Sequence, residues 1–319
     1  MEKLNKYINK QLESPHTGIY FGIVGGSASA SGNKSTAADN AMTVGGVSSA
    51  WQAITSVNDW DGSSWTAGTA LGASRGLTMY RGNTDSGINC GGFTGTAIGT
   101  ALSICETWNG SAWATKTSMN FRRAVGFGMG GTEDSAIVNS GQDGSGGTQY
   151  FKTEEYDGSG NSWTNKSDST YGGQGSGGAG IPDDYIRTGG RDSGGTASVR
   201  VETWDGSSWT TLASGLNFPQ SAYNYGCACG VSSDTFMYGT NSTSTGTSLI
   251  YKFDGSSWSD SGSATTAPKY VGMGGDSSSA IICGQWSSGT ASSTYDGSSW
   301  STTSALQTAR STSGTGATT

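Results

Sequence analysis

Carboxylates are the residues of this chain that recur at spacings able to do chemistry. Six aspartates, Asp39, Asp85, Asp134, Asp184, Asp234 and Asp276, each stand just ahead of a short apolar run. Five more, Asp61, Asp157, Asp205, Asp254 and Asp296, follow an aromatic residue and precede a glycine or a Gly-Ser pair. Acids in such numbers can serve as acid-base pairs for glycoside hydrolysis, as oxygen ligands for divalent cations, or as caps of tight turns. The sixth copy of the second position is Asn109, which keeps a turn and discards the charge. Turn chemistry is therefore the reading of that set. If the hairpins bring both sets to one side, eleven of the 24 acids ring one face, a docking face for a basic partner or for cations.

Other chemistries have little to draw on. The single histidine, His16, supports neither a histidine metal cage nor a Ser-His-Asp triad. The five cysteines, Cys90, Cys105, Cys227, Cys229 and Cys283, are odd in number and lack paired spacings. They read as small buried apolar residues of a protein folded in a reducing cytoplasm, not as a disulfide framework. Arg122, Arg187, Arg191 and Arg310 fall near loops, where an arginine cluster for a substrate carboxylate would sit, so a glycosidase is kept as the least favoured alternative. No catalytic residue, cofactor or metal is expected. A net charge of −7 without any basic run disfavours nucleic acid. No apolar stretch reaches the length of a membrane span, and the N-terminus lacks the apolar core of a secretory signal.

The elements that must position these residues are repeats. An aromatic, Asp or Asn, Gly, Ser and then Trp recur from Trp60, Trp108, Tyr156, Trp204, Phe253 and Tyr295, at intervals of 48 or 49 residues until the last, which is 42. Asp-Gly between β-prone runs marks a hairpin corner. Placing Asp61-Gly62 at that corner sets Trp60 opposite Ser63, with Trp65 on the same face as its diagonal neighbour. The third copy carries two extra residues, an even insertion that preserves the face. Trp65, Trp113, Trp163, Trp209, Trp258 and Trp300 are thus the structural signature of the repeat.

Each repeat resolves into four strands. The first covers 75–81, 123–129, 223–229 and 270–273; the second is an apolar run ending on Gly at 45, 91, 141, 189, 239 and 284. The third leads into the hairpin tip and the fourth leaves from its Trp. The tail at 308–318 matches a first strand and then stops, so it is expected to complete the first repeat and close a ring without free edges. Residues 1–16 differ: five charges, no Gly, and Leu4, Tyr7, Ile8 and Leu12 at a spacing that predicts one apolar stripe on a short helix, a candidate anchor. The expected domains are 1–16, an N-terminal helical anchor, and 17–319, an all-β propeller of six four-stranded antiparallel blades.

Apolar second strands closing on Gly-Gly at 45–46, 91–92 and 189–190, with an aromatic and a Trp beyond them, resemble kelch repeats. The segments Glu-Thr-Trp-Asn/Asp-Gly-Ser-x-Trp at 106–113 and 202–209 more closely resemble the kelch-like repeats in structural proteins of tailed bacteriophages. The double Gly is lost at 140–141, 239–240 and 284–285. The resemblance implies a propeller and a non-enzymatic virion protein, capsid decoration or tail appendage, made in the host cytoplasm and bound to other virion proteins. The alternative is a lectin-like propeller that recognises host-surface glycans. Its candidate residues are the lone aromatics Phe93, Tyr150 and Trp286, set among small polar loops opposite the acidic face.

Overall fold

The computed structural model describes residues 40–96, 101–144, 151–171, 173–190, 196–219, 227–238, 249–264, 271–284, 289–311 and 314–317. The helix expected over 1–16, with Leu4, Tyr7, Ile8 and Leu12, lies outside them, as does its boundary with the β domain. Among the described residues the chain is all-β, with one 3-10 turn at Ser214–Leu216.

The strands form antiparallel meanders in a β-propeller-like arrangement. One four-stranded sheet joins β1 (Ala41–Val44), β2 (Val57–Trp60) and β3 (Trp65–Ala67) to the last strand of the chain, β24 (Gly314–Ala317). The next contains β4 (Met79–Gly82), β5 (Gly87–Cys90), β6 (Cys105–Trp108) and β7 (Trp113–Lys116). Then come β8 (Phe127–Gly131), β9 (Ser135–Asn139), β10 (Thr153–Asp157) and β11 (Ser162–Asn165), followed by β12 (Gly177–Ile181), β13 (Asp184–Thr188), β14 (Val201–Trp204) and β15 (Trp209–Thr211). Two further four-stranded sheets hold β16 (Cys227–Val231), β17 (Asp234–Tyr238), β18 (Leu249–Phe253) and β19 (Trp258–Ser263), and β20 (Gly272–Gly275), β21 (Ala280–Cys283), β22 (Ser292–Tyr295) and β23 (Trp300–Thr302).

Four sheets thus stand as separate four-stranded blades. The expectation of six separate blades is not met as such, because β8 to β15 form one eight-stranded sheet. Its two halves are joined by a parallel pairing of β8 with β12, Phe127 opposite Gly177 and Gly128 opposite Gly178. Glycine at three of those four positions removes the side chains that would hold the strands apart. The inner strands neighbour one another in a cycle, β4 with β8, then β12, β16, β20, β24 and back to β4.

The ends meet as expected. β24 runs antiparallel to β1, Ala41 opposite Ala317 and Val44 opposite Gly314, so the first sheet is built from both ends of the chain. Arg310 fastens the junction: its Nη1 donates to the carbonyls of Gly45 and Ser56, both at 2.9 Å, and its Nη2 to Asn58 Oδ1 at 2.9 Å.

Two features depart from the expected strands. The inner strands begin later than 75 and 123, since Arg75 and Arg123 sit in the preceding connections and positive φ at Leu77 (48°) and Val125 (56°) turns the chain between. At the hairpin tips, Trp60 faces Trp65 and not Ser63. The connection is four residues long and closed by Asp61 N–H to Ser64 O. The paired rings lie 5.4 Å apart in Trp60–Trp65, 5.1 Å in Tyr156–Trp163 and 4.9 Å in Phe253–Trp258. The two extra residues of the third copy extend its loop and leave Tyr156 opposite Trp163.

Each tip Trp is a wedge into the preceding module. Trp113 Nε1 donates to Thr69 O, Trp163 to Thr117 O, Trp209 to Ser167 O and Trp258 to Leu216 O. Trp65 closes the series on the last sheet, donating to Ser292 Oγ at 3.1 Å. Trp65 and Trp163 are buried, whereas Trp113, Trp209, Trp258 and Trp300 are half-buried. Because Trp65 is 1% exposed and lies on the seam between chain ends, Trp65→Ala is expected to cost about 3–5 kcal/mol. Equilibrium denaturant unfolding reads this, and a loss below about 1 kcal/mol would remove the wedge from the core.

Candidate functional site

The tip aspartates are spent on their own turns. Asp61 Oδ1 accepts from Ser63 N–H (2.9 Å), Ser63 Oγ (2.9 Å) and Ser64 N–H (2.8 Å). Asp205, Asp254 and Asp296 repeat the same bonds to the serines two and three residues on. Asn109 does likewise through its amide oxygen, bonding Ser111 and Ala112, which bears out the turn reading. The backbone bonds of Ser63 and Ser64 pull the Asp61 carboxyl down to about 2. The serine hydroxyls, with the backbone, hold Asp254 and Asp296 at about 2 and lower Asp205 as well.

The tips share a face with the turns between the first and second strands. A Cβ on Gly110 would meet Asp85 O at 3.0 Å, one on Gly158 the Asp134 backbone at 2.7 Å, and one on Gly297 Ser278 O at 3.1 Å. That face collects Asp85, Asp134, Asp184, Asp234 and Asp276 with the tip acids; Asp39 lies outside the described residues. Some of these acids clip neighbouring modules together. Asn40 Nδ2 donates to Asp85 Oδ2 at 3.0 Å, and Ser277 Oγ to Asp234 Oδ2 at 2.7 Å.

On the third meander a recess of about 410 Å³ opens among Asp134, Glu155, Tyr156, Asp157 and Lys166. Glu155 pairs with Lys166 at 2.6 Å and accepts Trp204 Nε1 at 3.2 Å, while Asp157 caps its turn through Ser159. Among the described residues no group of three His, Cys, Asp or Glu is placed to hold a metal ion. In the recess the Glu155 and Asp157 carboxylates are thus already held by partners.

The register position of Glu155 is Asp59 in the first sheet, where Gly68 replaces Lys166. A Cβ on Gly68 would lie 2.6 Å from the Asp59 carboxylate. Asp59 Oδ1 is buried without a hydrogen-bond partner among the described residues, and burial raises its pKa.

The arginines that might have gathered round a substrate are elsewhere. Arg187 and Arg310 are buried, Arg122 pairs with Asp143 at the surface, and Arg191 lies outside the described residues. Arg75 and Arg123, overlooked in the sequence, are fully buried clamps. Arg75 Nη1 donates to Gly91 O and Ile104 O and its Nη2 to Glu106 at 2.9 Å; Arg123 bonds Ser140 O, Lys152 O and Glu154 in the same pattern. Glu202 draws its cation from within its own sheet, Arg187 at 3.0 Å. An arginine ahead of the first strand with a glutamate 31 residues on was the available signal.

Two sequence expectations are corrected. Phe93 is 0% exposed, bridged to Gly76 and Ala101 and packed with Val47, Leu77 and Val125. It cannot meet a glycan, because the loop that carries it folds inward as a β-bridge. Tyr150 and Trp286 lie outside the described residues. Among the described residues the rings exposed on the loop side are Trp51 (36%) and Phe151 (46%). Cys90 and Cys105 stand opposite in register, Cα atoms 4.2 Å apart, and form a disulfide. Spacing along the chain could not reveal a pair made by strand register. Cys227, Cys229 and Cys283 are buried thiols, as expected.

The tip carboxyls titrate lower in the folded chain than in the unfolded one, so their contribution is present above about pH 4 and is lost as pH falls toward 2. Replacing Asp254 and Asp296 by Asn should flatten the fall of the thermal midpoint over that window; an unchanged profile would contradict the assignment. Asp59 has the opposite sign. Its raised pKa opposes folding once pH rises above the unfolded value, so Asp59→Asn should raise the midpoint at pH 7 and not at pH 3, with equal shifts at both pH values as the contrary result. Compared with known proteins, the chain matches no protein-family model and no curated protein.

Proposed function

We propose that the protein is a rigid display scaffold of a tailed-phage particle, a capsid decoration or tail appendage, and that its strands count as a six-bladed, kelch-like propeller. In that count the eight-stranded sheet is two blades touching at their inner edges. The observation that carries the reading is where the repeated polar groups go. Tip aspartates cap turns, indole N–H groups bind the preceding module, and arginines clamp strand ends. A repeat that spends its tip aspartates, most of its tip indoles and its buried arginines on cohesion suits a particle component that must stay folded while attached. The Cys90–Cys105 disulfide fits a protein that persists in oxidising surroundings, as on a released particle. The acidic turn face is the surface for a basic virion partner.

A second reading is supported by the exposed rings of Trp51 and Phe151 and by Tyr171, which lies 5.1 Å beneath the Arg200 guanidinium. Aromatic faces among small polar loops suit glycan recognition, and display and binding are compatible.

Mass spectrometry and cryo-electron microscopy of purified particles test the first reading. The chain is expected in symmetric copy number with its turn face against the particle, and its absence from particles sinks the proposal. Glycan-array binding lost in both Trp51→Ala and Phe151→Ala tests the second; binding unaffected by either change would dismiss it.

A further inference from the structure

One inner-strand position breaks the repeat. In register, Gly82, Gly131, Gly180, Gly230, Gly275 and Ala317 face Gly87, Ala136, Tyr185, Thr235, Ala280 and Ala41. The residues just before them are Arg81, Gly130, Ala179, Cys229, Gly274 and Gly316. Five are small and one is the longest cation available. Arg81 is buried, and its reach crosses modules: Nε donates to Met129 O at 2.6 Å, and Nη2 to Gly178 O at 2.6 Å and Ala228 O at 2.7 Å.

The three acceptors are not arbitrary. Met129, Gly178 and Ala228 each lie two residues before the glycine that closes their inner hairpin. They are therefore the same carbonyl of the repeat, presented by β8, β12 and β16, which are successive neighbours in the inner cycle. Repetition converges equivalent carbonyl dipoles on Arg81, and converging carbonyl oxygens call for several donors at once, which favours a cation that carries them. Small residues at the equivalent positions of these strands leave the room that the guanidinium fills.

We propose that the centre of the inner-strand cycle is a cation-binding site built of repeat-equivalent carbonyls and occupied by the chain's own Arg81. The ligand class of the site is a planar guanidinium, which offers donors in several directions at once. The chain thereby ties β4 to three other modules. The site is latent: it becomes open to an outside cation only when the Arg81 side chain is removed.

Chemical rescue tests this. The thermal midpoint of Arg81→Ala should fall below that of the parent protein. Millimolar guanidinium chloride, well below denaturing levels, should then raise it toward the parent value and saturate, as binding to the folded state requires. Urea and sodium chloride at equal concentration should not. A response to guanidinium no greater in Arg81→Ala than in the parent protein overturns the proposal. If Arg81→Ala does not fold, Arg81→Met and Arg81→Lys decide the matter. The lysine variant is expected to keep a higher midpoint than the neutral one, and a methionine variant as stable as the parent would show that no cation is needed.

Discussion

The seam between modules is the constraint on which this fold depends. A four-stranded sheet placed in a ring is covered on both faces by its neighbours, so both faces must be apolar or exactingly satisfied. The tip tryptophan meets both demands with one side chain. Its ring pairs with the aromatic opposite it across the hairpin, and in every copy but Trp300 its N–H reaches a carbonyl or hydroxyl of the module before it. The same bond in Trp65 spans the two ends of the chain, from residue 65 to residue 292. An aromatic body with one polar handle is suited to an interface that is dry on one side and hydrogen-bonding on the other.

A second constraint follows from the first. Connections between sheets pass through the seam, and their buried carbonyls need donors. Arg75, Arg123 and Arg310 solve this alike, each reaching the end of a second strand and the start of a third before meeting Glu106, Glu154 or Asn58. Burying a guanidinium is costly unless it is paired and its hydrogens are placed. Removing Glu106 or Glu154 would leave a charge in a dry seam, whereas at Arg310 carbonyls and the Asn58 amide oxygen alone hold the guanidinium. Where Glu202 lacks an arginine ahead of its first strand, Arg187 on the adjacent strand supplies the cation.

The sequence disclosed what is periodic and local. The second strands, the tips, their aspartates and the closure by the tail were legible because each depends on neighbouring residues or on a recurring apolar pattern. The Trp60–Trp65 pairing was misplaced because Asp61 captures two following N–H groups and lengthens the turn, an interaction that a two-residue hairpin rule does not weigh. The disulfide and the clamps were hidden because they are contacts between strands or across 31 residues, set by register. Phe93 was misread as surface because its loop is rich in small polar residues, although the chain turns it inward against Val47 and Leu77.

These placements redistribute the charge of the molecule. Of the seven arginines among the described residues, five, Arg75, Arg81, Arg123, Arg187 and Arg310, are buried, and three of those sit beside a glutamate. Among the described residues burial accordingly withdraws more positive than negative charge from the surface, these five arginines against Glu106, Glu154, Glu202 and Asp276. The tip aspartates Asp61, Asp254 and Asp296 stand on the turn side, where hydrogen bonds from the following serines keep their carboxyls ionised far into acid. Such a surface repels its own kind and attracts basic partners over a distance set by salt. The interactions that make the modules cohere therefore also give the molecule one persistently anionic face, so that rigidity and surface character come from the same repeated residues.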